Sequence, residues 1–113
     1  MSVVGVSALL AGFACLAAAG NELYGKPLRG LSAAPIPEVS KAPARFSGRA
    51  IRVVGTGGAG TPSEVTLSED GASLVVRTDG SFSLPAKLDG ARVTAEGKLQ
   101  GGALVASGVE VSR

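Results

Sequence analysis

The sequence predicts an all-β domain, a small antiparallel barrel or sandwich of five short strands, and three observations support that reading. From Ser47 onward β-prone runs recur, separated by the turn dipeptides Asp70-Gly71, Asp79-Gly80, Asp89-Gly90 and Gly101-Gly102. Such pairs supply the positive φ that tight hairpin turns need. Within the runs, apolar and polar residues alternate with the period of two that marks a half-buried strand. The turns fall roughly every 8–12 residues, the spacing of small all-β folds.

Residues 1–20 form a first unit. No charged residue occurs before Glu22, and Val3 to Ala19 is almost wholly apolar, closed by Ala17-Ala18-Ala19-Gly20. An apolar run followed by small residues is the pattern of a cleaved signal peptide, although the usual basic residues in front of it are missing. The run also reaches the lower edge of what spans a bilayer, so an uncleaved N-terminal membrane anchor is the rival reading and a buried soluble helix the third. Cys15, the single cysteine, stands in Gly12-Phe13-Ala14-Cys15, which loosely matches a lipobox and makes it a candidate lipidation site. Its plainer role is that of a small hydrophobe in a leader. Both leader readings place the rest of the chain in the periplasm or on the outer face of the inner membrane, where it carries no thiol for a disulfide or a metal.

Residues 21–48 read as a Pro/Gly-rich connector. Pro27, Pro35, Pro37 and Pro43 lock φ and remove donors, so the segment is expected to run extended along a surface. One short helix is expected, with Pro37 in its first turn, Glu38 beside it and Ile36 and Val39 as apolar anchors, ending before Pro43.

Residues 49–113 are expected to form the β domain. Its predicted strands are Arg49–Gly55, Glu64–Ser68, Ser73–Thr78, Arg92–Leu99 and Ala103–Val111. Val65 and Leu67 face in, as do Val93 and Ala95, while Arg92, Thr94 and Glu96 face out. Gly108 marks a bulge in the last strand. Ser81 to Lys87 is too short for a stable helix and is read as a loop capping one end of the domain.

The string Ile51-Arg52-Val53-Val54-Gly55-Thr56-Gly57-Gly58-Ala59-Gly60 places Gly55, Gly57 and Gly60 at the G-x-G-x-x-G spacing of a dinucleotide-binding turn. Thr61-Pro62-Ser63-Glu64 and Asp79 complete the imitation. Length defeats it, because nine residues from Thr61 to Glu69 stand where a crossover helix should be, about 13.5 Å of helix at 1.5 Å per residue. Nothing beyond supplies the other strands of a doubly wound sheet. The glycines are therefore read as a mobile hairpin loop, with no cofactor.

The order of certain signals resembles a bacterial exported family, the domain of unknown function numbered 4920. They are Tyr24-Gly25-Lys26-Pro27-Leu28, Pro35-Ile36-Pro37-Glu38-Val39, Phe46-Ser47-Gly48-Arg49, Arg52-Val53-Val54-Gly55, Phe82-Ser83-Leu84-Pro85 and Gly90 to Gly97. The resemblance runs from Tyr24 to about Leu99 and implies a five-stranded antiparallel OB-like barrel, here preceded by an N-terminal hydrophobic helix and the Pro-rich connector. Many family members carry a cysteine after the first strand and Gly-Cys-Trp before the second. Thr56 to Glu64 of this chain contains neither Cys nor Trp, so no functional residue carries over.

Composition narrows the function classes. There is no His, no Trp and 4% aromatic residues, which removes imidazole as a base or metal ligand. The net charge of +2 is too mild for a nucleic-acid footprint, and stacking platforms are scarce because Phe46 and Phe82 read as core plugs. Asp70, Asp79 and Asp89 precede glycine as turn formers do, and no acidic pair, Glu96 included, has a spacing that forces proximity. The expectation is a non-catalytic exported binding or accessory module without catalytic, metal or cofactor residues. Its partner would be a protein, facing Arg49, Arg52, Arg77 and Arg92, otherwise read as a solvated outer face. The alternative is a structural accessory subunit of an inner-membrane complex, tethered through residues 3–19.

Overall fold

The computed structural model describes residues 21–113. The leader expected over residues 1–20, with Cys15 and the apolar run 3–19, lies outside the described residues. Six strands dominate: β1 (Asn21–Gly25), β2 (Ala50–Thr61), β3 (Glu64–Glu69), β4 (Ala72–Thr78), β5 (Arg92–Gln100) and β6 (Ala103–Ser112). Among the described residues helix is confined to α1 (Ile36–Lys41) and a 3-10 turn at Pro43–Phe46.

The ladders close on themselves. β2 pairs with β3, β3 with β4, β4 with β6, β6 with β5, and β5 again with β2, giving a ring of five strands. Two points correct the expectation of five antiparallel strands. The β4–β6 ladder is parallel, Val76–Thr78 against Leu104–Ala106. Parallel neighbours need a crossover of roughly a dozen residues, and the segment 79–91 together with β5 intervenes here. The sixth strand is β1, inside the segment read as a connector, where it pairs antiparallel with the half of β6 that β4 leaves free.

β2 belongs to two ladders. Ala50 to Thr56 pair with β5 and Thr56 to Thr61 with β3, with a register shift between Gly57 and Gly60. The glycine string is thus strand, not a mobile loop. Glycine is required at position 57 because a Cβ there would stand 2.5 Å from the Leu88 carbonyl oxygen. The Gly57 N–H donates to Ala91 O at 2.8 Å, and its carbonyl accepts from Gly90 N at 3.0 Å. Both backbone groups of Gly57 are therefore spent on the segment that covers the ring.

Val53, Val65, Leu67, Val76, Val93, Ala95, Leu104, Ala106, Val109 and Val111 fill the interior. Ile36 and Val39 of α1 are fully buried against it, as their helical spacing predicts. Leu84 and Leu88 of the segment 79–91 are buried too, and Leu84 N donates to Pro62 O at 2.7 Å, so this stretch does cover the ring beside the β2–β3 turn. Phe46 is buried, whereas Phe82 is only half-buried against the core.

Candidate functional site

The sheet register sets three residues in one row across three strands. Arg52 of β2 faces Glu96 of β5, and Glu96 faces Gly108 of β6. All three belong to the outer face, because their neighbours Val53, Ala95 and Val109 point into the core. Glu96 nevertheless is only 3% exposed and is the one buried charged residue among those described. Its cover is the segment Lys26 to Ala34, which leaves β1 and crosses the row as a strap.

Each strand contributes one attachment. At β6, the bulge beside Gly108 frees the Ser107 carbonyl, which accepts from Lys26 N at 2.9 Å. A side chain at position 108 would occupy the space of the Lys26 carbonyl oxygen, so only glycine lets the strap lie this close. At β5, Glu96 accepts from Arg29 N at 2.6 Å through Oε1 and from Leu31 N at 2.9 Å through Oε2. At β2, Arg52 N donates to Ser32 O at 3.2 Å and Ala34 N donates to Arg52 O at 2.8 Å, a short parallel bridge on the edge opposite β5. The Arg52 guanidinium adds an ion pair to Glu96 Oε2 at 3.2 Å.

Burial alone would raise the Glu96 pKa. The two strap amides and the Arg52 guanidinium outweigh it and hold the carboxyl below its ordinary value. With both oxygens engaged, Glu96 is a fastening for the strap.

Beyond this row a cleft of about 230 Å³ opens between strap and sheet. Its floor is the next outward row, Ala50, Lys98 and Val105, which are partners across β2, β5 and β6. Arg29 and Leu31 of the strap form one wall, with Gln100 at the rim. The arrangement offers two cations, an amide and apolar surface, a chemistry suited to holding an anionic group beside an aliphatic one.

The four arginines expected to face a partner do not form one patch. Arg52 lies on Glu96, Arg77 on its cross-strand partner Glu64 at 3.3 Å, and Arg92 grips both oxygens of Glu69 at 2.9 and 2.8 Å. Arg49 alone has no carboxylate; it lies 5.4 Å from the Phe46 ring centre and donates to Arg45 O at 2.9 Å. Arg29 and Lys98 were missed in the sequence, since nothing local marks a strap residue and a strand residue 69 positions later as neighbours.

Of the three Asp-Gly pairs only Asp70-Gly71 makes a hairpin, whereas Asp79-Gly80 and Asp89-Gly90 lie near the two ends of the segment that joins β4 to β5. Asp70, at φ 51°, and Gly71, at φ 80°, form the β3–β4 hairpin turn. Asp79 accepts from Ser81 N at 2.9 Å and Ser81 Oγ at 2.6 Å, and these bonds hold its carboxyl below the usual range. Among the described residues no three His, Cys, Asp or Glu side chains converge to hold a metal, and no helix is long and apolar enough to cross a membrane. No family model and no curated protein matches the chain.

Proposed function

We propose that this chain is a non-catalytic exported binding or accessory module built on an OB-like barrel. The ring order β2-β3-β4-β6-β5, with its one parallel ladder, supports the barrel reading. The observation that carries the binding reading is the state of Glu96. The buried acid in the cleft wall has both oxygens engaged, the Ser107 hydroxyl there donates to the Glu96 carbonyl with no base beside it, and the rest of the lining is Arg29, Lys98, Gln100 and apolar surface, groups that hold a ligand without moving a proton.

The tethered accessory subunit is the second reading. Asn21 pairs with Ser112, which pairs with Arg92, whereas the cleft lies around Lys98, roughly 20 Å along β5 at 3.3 Å per residue. A chain held at residue 21 would present the cleft away from its anchor.

One experiment tests both readings. A photoreactive residue is placed at Gln100 in the full chain, expressed in an exporting bacterium, and each cell fraction is analysed by intact mass. A processed chain outside the cytoplasm, cross-linked to a protein from position 100, supports the module. Full-length mass in the membrane fraction with the same cross-link selects the tethered form. Cytoplasmic residence, or no cross-link from this or other surface positions, overturns the proposal.

A further inference from the structure

We infer that the cleft end of the ring docks an acidic, extended peptide segment of a partner protein, with Arg29 and Lys98 as the contact cations and Arg45 and Arg49 at the rim. The inference rests on the binding-module reading and adds the partner's chemistry.

Charge is distributed unevenly over this molecule. Arg52, Arg77, Arg92 and Arg113 each lie on a carboxylate. Arg29, Arg45, Arg49 and Lys98 have none within ion-pair distance among the described residues, and the topology gathers them. Ala50 is the cross-strand partner of Lys98, Arg49 precedes it, and Ser47 bridges to Leu99, so the turn carrying Arg45 and Arg49 abuts the end of β5. Arg29 reaches the same cleft from the strap. Two cations, Arg29 and Lys98, line the cleft and two more, Arg45 and Arg49, stand on the adjoining turn, whereas the other cations outside the ion pairs, Lys26, Lys41 and Lys87, lie outside its lining. Glu96 does not offset the cleft cations, being almost fully buried and already neutralised by Arg52.

The remaining lining selects among anions. Leu31, Ala50 and Val105 give the cleft apolar surface between its cations, which matches a peptide alternating carboxylate and aliphatic side chains. Nucleic acid fits poorly. The aromatic ring at this end is Phe46, which is buried and has Arg49 over it, leaving no face for a base. A bilayer holding the chain at Asn21 would lie at the other end of β5.

The test uses the exported chain purified from its host and a fluorescein-labelled Glu-Glu-Leu repeat peptide, with a Lys-Lys-Leu repeat as control, read by anisotropy. The acidic peptide is expected to bind and the basic one not to. Arg29→Glu with Lys98→Glu should weaken binding at least about tenfold, and Arg29→Gln with Lys98→Gln by an intermediate factor. Lys87→Glu, at the opposite end, should change it less than about twofold, and binding should weaken as salt rises. An unchanged urea midpoint in the variants shows that folding is not the cause. Equal losses from Lys87→Glu and the cleft variants, no peptide binding, or preferential binding to phosphatidylglycerol vesicles each overturn the inference. If the peptide fails while the photoreactive chain still cross-links a protein from another face, the module reading stands and this assignment falls.

Discussion

Glu96 and Glu69 are both glutamates paired to an arginine on a neighbouring strand, and the contrast between them separates fastening from decoration. Glu69 receives two hydrogen bonds from Arg92 in near-ideal geometry, yet solvent surrounds the pair. Glu96 receives one bond from Arg52 and two from the strap backbone, and is almost fully buried. Judged by its ion pair alone, Glu69 is the better bridge. Judged by what would be left unsatisfied without it, Glu96 matters more, because it serves two backbone donors of the strap besides its arginine, whereas Glu69 serves an exposed guanidinium that water can satisfy.

Substitutions can break this contrast or sharpen it. The largest effect is expected from Glu96→Ala, which leaves two part-buried N–H groups and one guanidinium without their acceptor. Urea unfolding should show a loss of about 3 kcal/mol, and exchange of the Arg29 and Leu31 amides should accelerate selectively. A loss no larger than that of Glu69→Ala would dissolve the distinction. Gly108→Val comes next. It drives a side chain into the strap path at β6, and a loss of about 2 kcal/mol is expected, with the same amides exposed although Glu96 is intact.

Acid should separate the two carboxylates further. The folded pKa of Glu96 is depressed, so the stability it contributes is present above the unfolded value and is lost as pH falls through the folded one. Glu96→Gln should therefore flatten the acid limb of the stability profile below about pH 4.3. The Glu69 carboxyl is also lowered, by the Arg92 hydrogen bonds, but its exposure predicts little effect. Glu69→Gln should leave the acid limb and the urea midpoint unchanged within error, the smallest effect of the series.

Alternation and turn chemistry made most of the fold legible. Four of the five ring strands end within about one residue of where Val65/Leu67, Val93/Ala95 and the turn pairs place them, whereas β2 runs on past the predicted end at Gly55 to Thr61, and α1 starts beside Pro37 as expected. β1 escaped notice because Asn-Glu-Leu-Tyr-Gly has no alternation of its own and takes its conformation from β6. The glycine string was misread for an opposite reason. Glycine is a weak strand former, but Gly57 is placed where another backbone must come close. Glu96 was assigned to the outer face, which is correct, but its burial depends on residues 65 and 67 positions away. No local pattern carries that information, and the cleft that depends on the strap was invisible with it.

β1 rests on β6, and Glu22 meets Arg113, so the first described strand is fastened by residues 108–113. A chain cut before Gly108 would keep every residue that lines the cleft, yet β1 would lose the strand it pairs with and the strap its anchor at that end.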